Sequence, residues 1–136
     1  MVTPPDRRSP CPISFVLDIF GDRWTLLVIR DLAFKRKRRF SELLASDEGI
    51  ATNILADRLE RLECSGIVEK ARDPADGRRR IYTLTDAGKD LIPVLVEMVL
   101  WGARHDPDTG TPAAFVDSAT ADRAALVAQL RAGLDP

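Results

Sequence analysis

A chain of 136 residues, 45% hydrophobic and 30% charged, has the composition of one folded domain, long enough for a single core and too short for two ordinary ones. Its 20 Lys/Arg against 21 Asp/Glu leave a net charge of −1, so any affinity for a polyanion must come from local clusters rather than from the sum. No apolar run approaches the roughly 18 residues needed to cross a bilayer, and "MVTPPDRRSP" lacks the apolar heart of a secretory signal, so a soluble cytoplasmic protein is expected.

Pro4, Pro5, Pro10 and Pro12 make residues 1–12 an extended N-terminal arm. "ISFVLDIF" then places Ile13, Val16, Leu17 and Phe20 at helical spacing, stopped by Gly21. Asp22 is placed to cap a second helix, whose Trp24, Leu27, Val28, Ile29 and Leu32 form a broad apolar face suited to the centre of the core. A basic run, Lys35 to Arg39, leads to Ser41, positioned to cap a short helix with Leu43 and Leu44. After Gly49 a longer helix starts near Ala51 or Thr52, with Leu55, Leu59 and Leu62 inward, and ends at Gly66. "IVEKAR" and "RRIYTLT", joined by "DPADGR", predict a β-hairpin. Thr85 starts the next helix, which carries Leu91, Leu95, Met98 and Val99, bends near Pro93 and closes at Gly102. "HDPDTGTPAAFVDSAT" reads as loop, and "ADRAALVAQLRAGL" as a final amphipathic helix with Leu126, Leu130 and Leu134 on one side. Residues 13–103 are thus the main domain, and 104–136 a more acidic tail with 3 Lys/Arg against 5 Asp/Glu, a candidate dimer contact.

Two helices joined by a glycine-containing turn and followed by a basic hairpin define a mainly α winged helix-turn-helix. In that arrangement the second helix of the pair enters the DNA major groove, and cations before the pair and on the hairpin grip the backbone or minor groove. The candidate backbone contacts are Arg38, Arg39 and Ser41; the candidate wing contacts are Arg78, Arg79 and Arg80, with Arg80 on the Tyr82 side of its strand. With the leucines inward, Asn53, Ala56, Asp57 and Glu60 turn outward and Thr52 and Arg58 flank them, so Asn53, then Thr52 and Arg58, are the candidates for base readout. Asp57 and Glu60 accept from cytosine, pair with a nearby arginine, or lie outside the contact.

"CPISFVLDIFGDRW", "RRFSELL", "GIATNILADRLERLECSGIVEK", "YTLTDAGKDLIPVL" and the following "WG", in this order, resemble the HxlR-type bacterial transcriptional regulators, winged-helix relatives of the MarR group. The resemblance covers Cys11 to Gly102 and implies a homodimer on a palindromic operator, with N- and C-terminal helices forming much of the dimer contact. Ala51 departs from the capping serine of many relatives, leaving Thr52 or backbone contacts to organise the helix start. Some members use a cysteine at the place of Cys11 to sense oxidants or electrophiles and others keep it without a sensing role, so Cys11 is either a structural or incidental residue or a candidate thiol sensor. Such chemistry requires a thiolate, hence exposure and positive neighbours, and Arg7 and Arg8 are near in sequence.

Trp24 and Trp101 are assigned to the core or a dimer interface, Cys64 to space filling, and His105 to the surface of the tail. No phosphate loop, metal-ligand cluster or Ser/His/Asp arrangement supports catalysis, so no enzyme, metal or cofactor is expected. The alternative is a winged-helix module that binds protein without specific DNA binding, motivated by the near-neutral charge and the acidic residues on the predicted recognition helix.

Overall fold

The computed structural model describes residue 2 and residues 7–135, a mainly helical chain with one β-hairpin. Residues 1 and 3–6 of the expected arm, including Pro4 and Pro5, lie outside the described residues. The chain divides into two compact units between Gly88 and Lys89, whereas charge and loop signals put a boundary after residue 103.

The first unit opens with α1, Pro12–Phe20, whose proline sits where a helix has no intrahelical use for an N–H. It stops at Gly21, where a Cβ would lie 2.3 Å from the carbonyl oxygen of Leu17. Of its expected apolar face only Phe20 is buried, together with Ile19; Ile13, Val16 and Leu17 are 70%, 40% and 53% exposed. Helix α2, Thr25–Ala33, is capped from Asp22, which accepts the N–H groups of Trp24 at 3.0 Å and Thr25 at 3.2 Å. Its Val28, Ile29 and Leu32 are buried, as the pattern predicts, while Trp24 is half-buried beneath the Arg23 guanidinium.

Helix α3, Phe40–Leu44, corrects the expected cap: Ser41 lies inside the helix, and Glu42 reaches back to accept the N–H of Arg39 at 2.9 Å. Helix α4, Thr52–Cys64, follows Ala51 with no side-chain cap and buries Leu55, Leu59 and Leu62, each contributing about 2 kcal/mol of transfer free energy. Gly66, at φ +80°, then turns the chain so that the Ile67 N–H reaches the Leu62 carbonyl at 2.9 Å. Cys64 is exposed at this end of α4, so it does not fill space in the core. Strands β1, Val68–Arg72, and β2, Arg80–Leu84, pair antiparallel with Val68 opposite Leu84 and Arg72 opposite Arg80. Helix α4 packs on β1, and α2 and α3 on β2, which closes the core around Ile67, Val68, Ile81, Tyr82 and Leu84.

The expected single helix from Thr85 to Gly102 is two. The Thr85 hydroxyl accepts the Gly88 N–H at 3.2 Å over the short α5, Asp86–Lys89, and the chain restarts as α6, Ile92–His105, with Pro93 in the first turn. In the second unit α6 runs through Gly102 and buries Ile92, Leu95, Val96 and Leu100. Val94, Met98 and Trp101 are 45%, 50% and 65% exposed, so Trp101 is not a core residue. His105 is the last residue of α6 rather than part of a loop, its ring 4.5 Å from that of Trp101. The segment expected to be loop contains α7, Ala113–Ala121, which meets α8, Arg123–Ala132, at Asp122. Asp122 caps α8 by accepting the Ala125 N–H at 3.0 Å, and Leu126 is buried there while Leu130 and Leu134 are half-buried. Arg123 pairs with Glu97, Arg131 with Asp90 and Lys89 with Asp135, each within 3 Å. Among the described residues no helix is long and apolar enough to cross a membrane.

Candidate nucleic-acid interface

With its three leucines packed inward, α4 turns Asn53, Ala56, Asp57 and Glu60 to solvent, the outward set that the helical wheel predicts, and the flanking Thr52 is exposed as well. Arg58 is held instead. Its Nε donates to Asp22 Oδ2 at 2.9 Å and its Nη1 to the carboxylate of Asp57, which also has Arg61 Nη1 3.8 Å away. Asp57 thus pairs with a neighbouring arginine, one of the three readings open to it.

Asp22 is therefore a junction. Partial burial pushes its pKa up, but hydrogen bonds from the Thr25 hydroxyl, Arg58 and the Trp24 N–H outweigh this and bring it from 3.8 down to about 2. In return the carboxylate of Asp22 holds Arg58 more firmly in its charged form.

The basic run reaches the hairpin directly. After a left-handed residue at Arg36, φ +53°, the backbone straightens so that Arg39 forms a bridge with Ile81, and the Tyr82 N–H donates to the Arg38 carbonyl at 2.7 Å. Lys37 is drawn back toward the helix by Asp31, its N–H on the Asp31 carbonyl at 3.1 Å and its Nζ 3.7 Å from the carboxylate. Arg39 donates through Nε at 3.0 Å and Nη2 at 2.6 Å to Asp73, the first residue after β1. The Ala75 N–H and then Arg39 hold Asp73 below the usual carboxylate range. Lys35, Arg36 and Arg38 keep exposed side chains, and Ser41 is exposed on α3.

At the hairpin tip the Asp73 N–H donates to the Arg79 carbonyl at 3.0 Å, and Asp76 Oδ1 accepts the Arg78 N–H at 3.1 Å. Arg78, Arg79 and Arg80 are exposed, and Asp76 lies 3.5 Å from Arg79 Nε. Arg80 shares a strand face with Tyr82 and stands opposite Arg72, a like-charged cross-strand pair that costs stability unless an anion lies between them. The structure thus joins Arg38 and Arg39 to the hairpin bearing Arg78 to Arg80, and leaves Thr52 and Asn53 open on α4. Cys11 is apart from these, exposed at the residue before α1 with its N–H on Ser9 Oγ at 3.2 Å. Arg8, near Cys11 in sequence, pairs with Asp18.

Sequence reasoning missed Arg72, Asp73 and the partnership of Asp22 with Arg58. Counting back from the "DPADG" turn would have set Arg72 against Arg80; nothing local announces that an N-terminal cap residue also serves a helix 36 positions later.

Residues 19–109 match the family described as HxlR-like helix-turn-helix, and the chain belongs to that family. A protein of Synechocystis sp., named an uncharacterized HTH-type transcriptional regulator, is 40% identical over 88 residues, 65% of this chain and 64% of its own length. One of Mycobacterium tuberculosis with the same kind of name is 38% identical over 95 residues, 70% of this chain and 59% of its own. The matched part thus spans under two thirds of these relatives. Among solved structures, PA1607 superposes with a TM-score of 0.70 at 37% identity, over 77% of this chain and 73% of its own. The reduced form of the transcriptional regulator YodB from B. subtilis gives 0.59 at 32%, over 74% and 100%. The oxidized form of the redox regulator HypR gives 0.59 at 30%, over 69% and 96%.

Proposed function

We propose that this chain is a sequence-specific DNA-binding transcriptional regulator, acting as a homodimer on a palindromic operator. The observation that carries the reading is the fusion of two cationic segments distant in sequence: the Arg38 carbonyl and the Tyr82 N–H tie the basic run to the hairpin. Arg38, Arg72, Arg78, Arg79 and Arg80 contact phosphates, with Arg39 and Ser41 at the edge of the same surface. Thr52 and Asn53 read base edges, asparagine being suited to the paired donor and acceptor of adenine. The exposed apolar side chains of α1 and α6 support self-association, since a polar partner gains nothing from them. The names of YodB and HypR and the exposure of Cys11 support regulation through that thiol by oxidants or electrophiles.

The test is a fluorescence-anisotropy titration with DNA from upstream of the protein's own gene and with a scrambled duplex, at several salt concentrations. Selective binding is expected. Changing Arg78 and Arg79 together to alanine weakens binding to both duplexes and lowers the salt slope by about 2, whereas Asn53→Ala mainly reduces the preference between them. Retention that is weak and equal on both duplexes would favour the protein-binding module instead. Equal operator affinity of Cys11→Ser and the wild type, before and after diamide, removes the thiol switch.

A further inference from the structure

We infer that Asp22, which lies outside the helix-turn-helix pair, is a positioning residue for base readout: through Arg58 it sets how the outward edge of α4 is presented. The inference rests on the DNA-binding reading above. Its physical basis is that one carboxylate serves two elements. Asp22 Oδ2 accepts the Trp24 N–H at 3.0 Å and the Thr25 N–H at 3.2 Å, which fixes it to the start of α2, a helix whose Val28, Ile29 and Leu32 are buried. The same oxygen accepts Arg58 Nε at 2.9 Å, and the other end of that guanidinium donates to Asp57 on the exposed face.

A chain of charge-assisted contacts therefore runs from the core to the surface that would meet the bases: Thr25, Asp22, Arg58, Asp57 and Arg61. Burial of the leucines is a non-directional force, so it fixes how deep α4 sits more strictly than the angle at which its outward edge is presented. The bond from Arg58 Nε to Asp22, a carboxylate fixed at the start of α2, is directional and ties that edge to a second element. Asp57, beside Arg58 on the same helix, holds the guanidinium's other end. The chain also balances Asp57, whose charge would otherwise repel a phosphate backbone. Arg58 on this account acts from behind the reading edge rather than on a base.

Asp22→Asn and Arg58→Gln, with their double variant, test this. Asparagine caps helices about as well as aspartate, so Asp22→Asn keeps acceptance of the backbone N–H groups while reducing the bond to Arg58 from a charge-assisted one to a neutral one. The readout is the ratio of affinities for the selected operator and a scrambled duplex, beside the thermal midpoint. Each single variant should lower the ratio about tenfold, with Asp22→Asn leaving scrambled-duplex affinity unchanged, and the double variant should lose no more than the worse single. A general loosening of the fold would lower both affinities together and overturn the inference. So would an unchanged ratio, or losses that add in the double variant. If the wild type shows no selectivity for any duplex, the DNA-binding reading fails first.

Discussion

Helices α1 and α4 are both amphipathic and both belong to the first unit, yet they treat their second face in opposite ways. Helix α4 buries Leu55, Leu59 and Leu62 and sets its outward charges against one another, Asp57 between Arg58 and Arg61. Helix α1 buries Ile19 and Phe20 and leaves Ile13, Val16 and Leu17 in water. The difference teaches what each face is for: a hydrated, charge-balanced surface suits a polar, hydrated partner, and an uncovered aliphatic one gains only when another apolar surface removes it from solvent.

The sharpest way to test that contrast is to delete comparable leucines from the two helices. Leu59→Ala, at a site 2% exposed, should destabilise the fold by about 2–5 kcal/mol, read as a fall in the urea midpoint at unchanged m-value. Leu17→Ala, at 53% exposure, should move the same midpoint far less at protein concentrations too low for self-association. Equal losses would mean that α1 is a core helix and the contrast is wrong.

A middle-sized effect is expected from charging the exposed stripe. Leu17→Glu should leave the helical circular dichroism in place while shifting sedimentation toward the single chain, because a carboxylate within an apolar interface is left unpaired. A dimer of undiminished strength would place the association surface elsewhere.

The smallest effect concerns the polar anchoring of α4 in acid. The folded pKa of Asp22, about 2, lies below its ordinary 3.8, so its contribution is complete above pH 4 and is lost as pH falls toward 2. Asp22→Asn should therefore lose less stability than the wild type between about pH 4 and pH 2, measured by urea titration at each pH. Parallel curves would show that the carboxylate is not ionically engaged.

What the sequence made legible follows from how far each signal reaches. The stripe of Leu55, Leu59 and Leu62, the apolar breadth of α2 and the Pro/Asp/Gly turn are local patterns, and each produced its element. Helix α7 escaped because Gly110 and Pro112 read as loop and only Ala119 of its nine residues is buried, so no periodic stripe marks it. Ser41 looked like a cap by type, but the turn of the backbone had already occurred at Arg39, where Glu42 reaches back. The boundary expected after residue 103 followed charge, whereas packing divides the chain between Gly88 and Lys89. For the candidate interface, the cationic side chains could be named from residue type and the outward face of α4 from its period. Their partners could not: Asp73 for Arg39 and Asp22 for Arg58 lie 34 and 36 residues away, and such pairings exist only once the chain has folded.

The bridge between Arg39 and Ile81 has a kinetic consequence. A lone two-stranded ribbon is marginal in water and would have to stiffen at each encounter, spending part of its binding free energy on its own ordering. Braced along β2 by a third stretch of backbone, this ribbon loses that freedom when the chain folds. Whatever lands on it meets a surface already shaped, so capture is limited by diffusion and orientation rather than by waiting for the loop to settle.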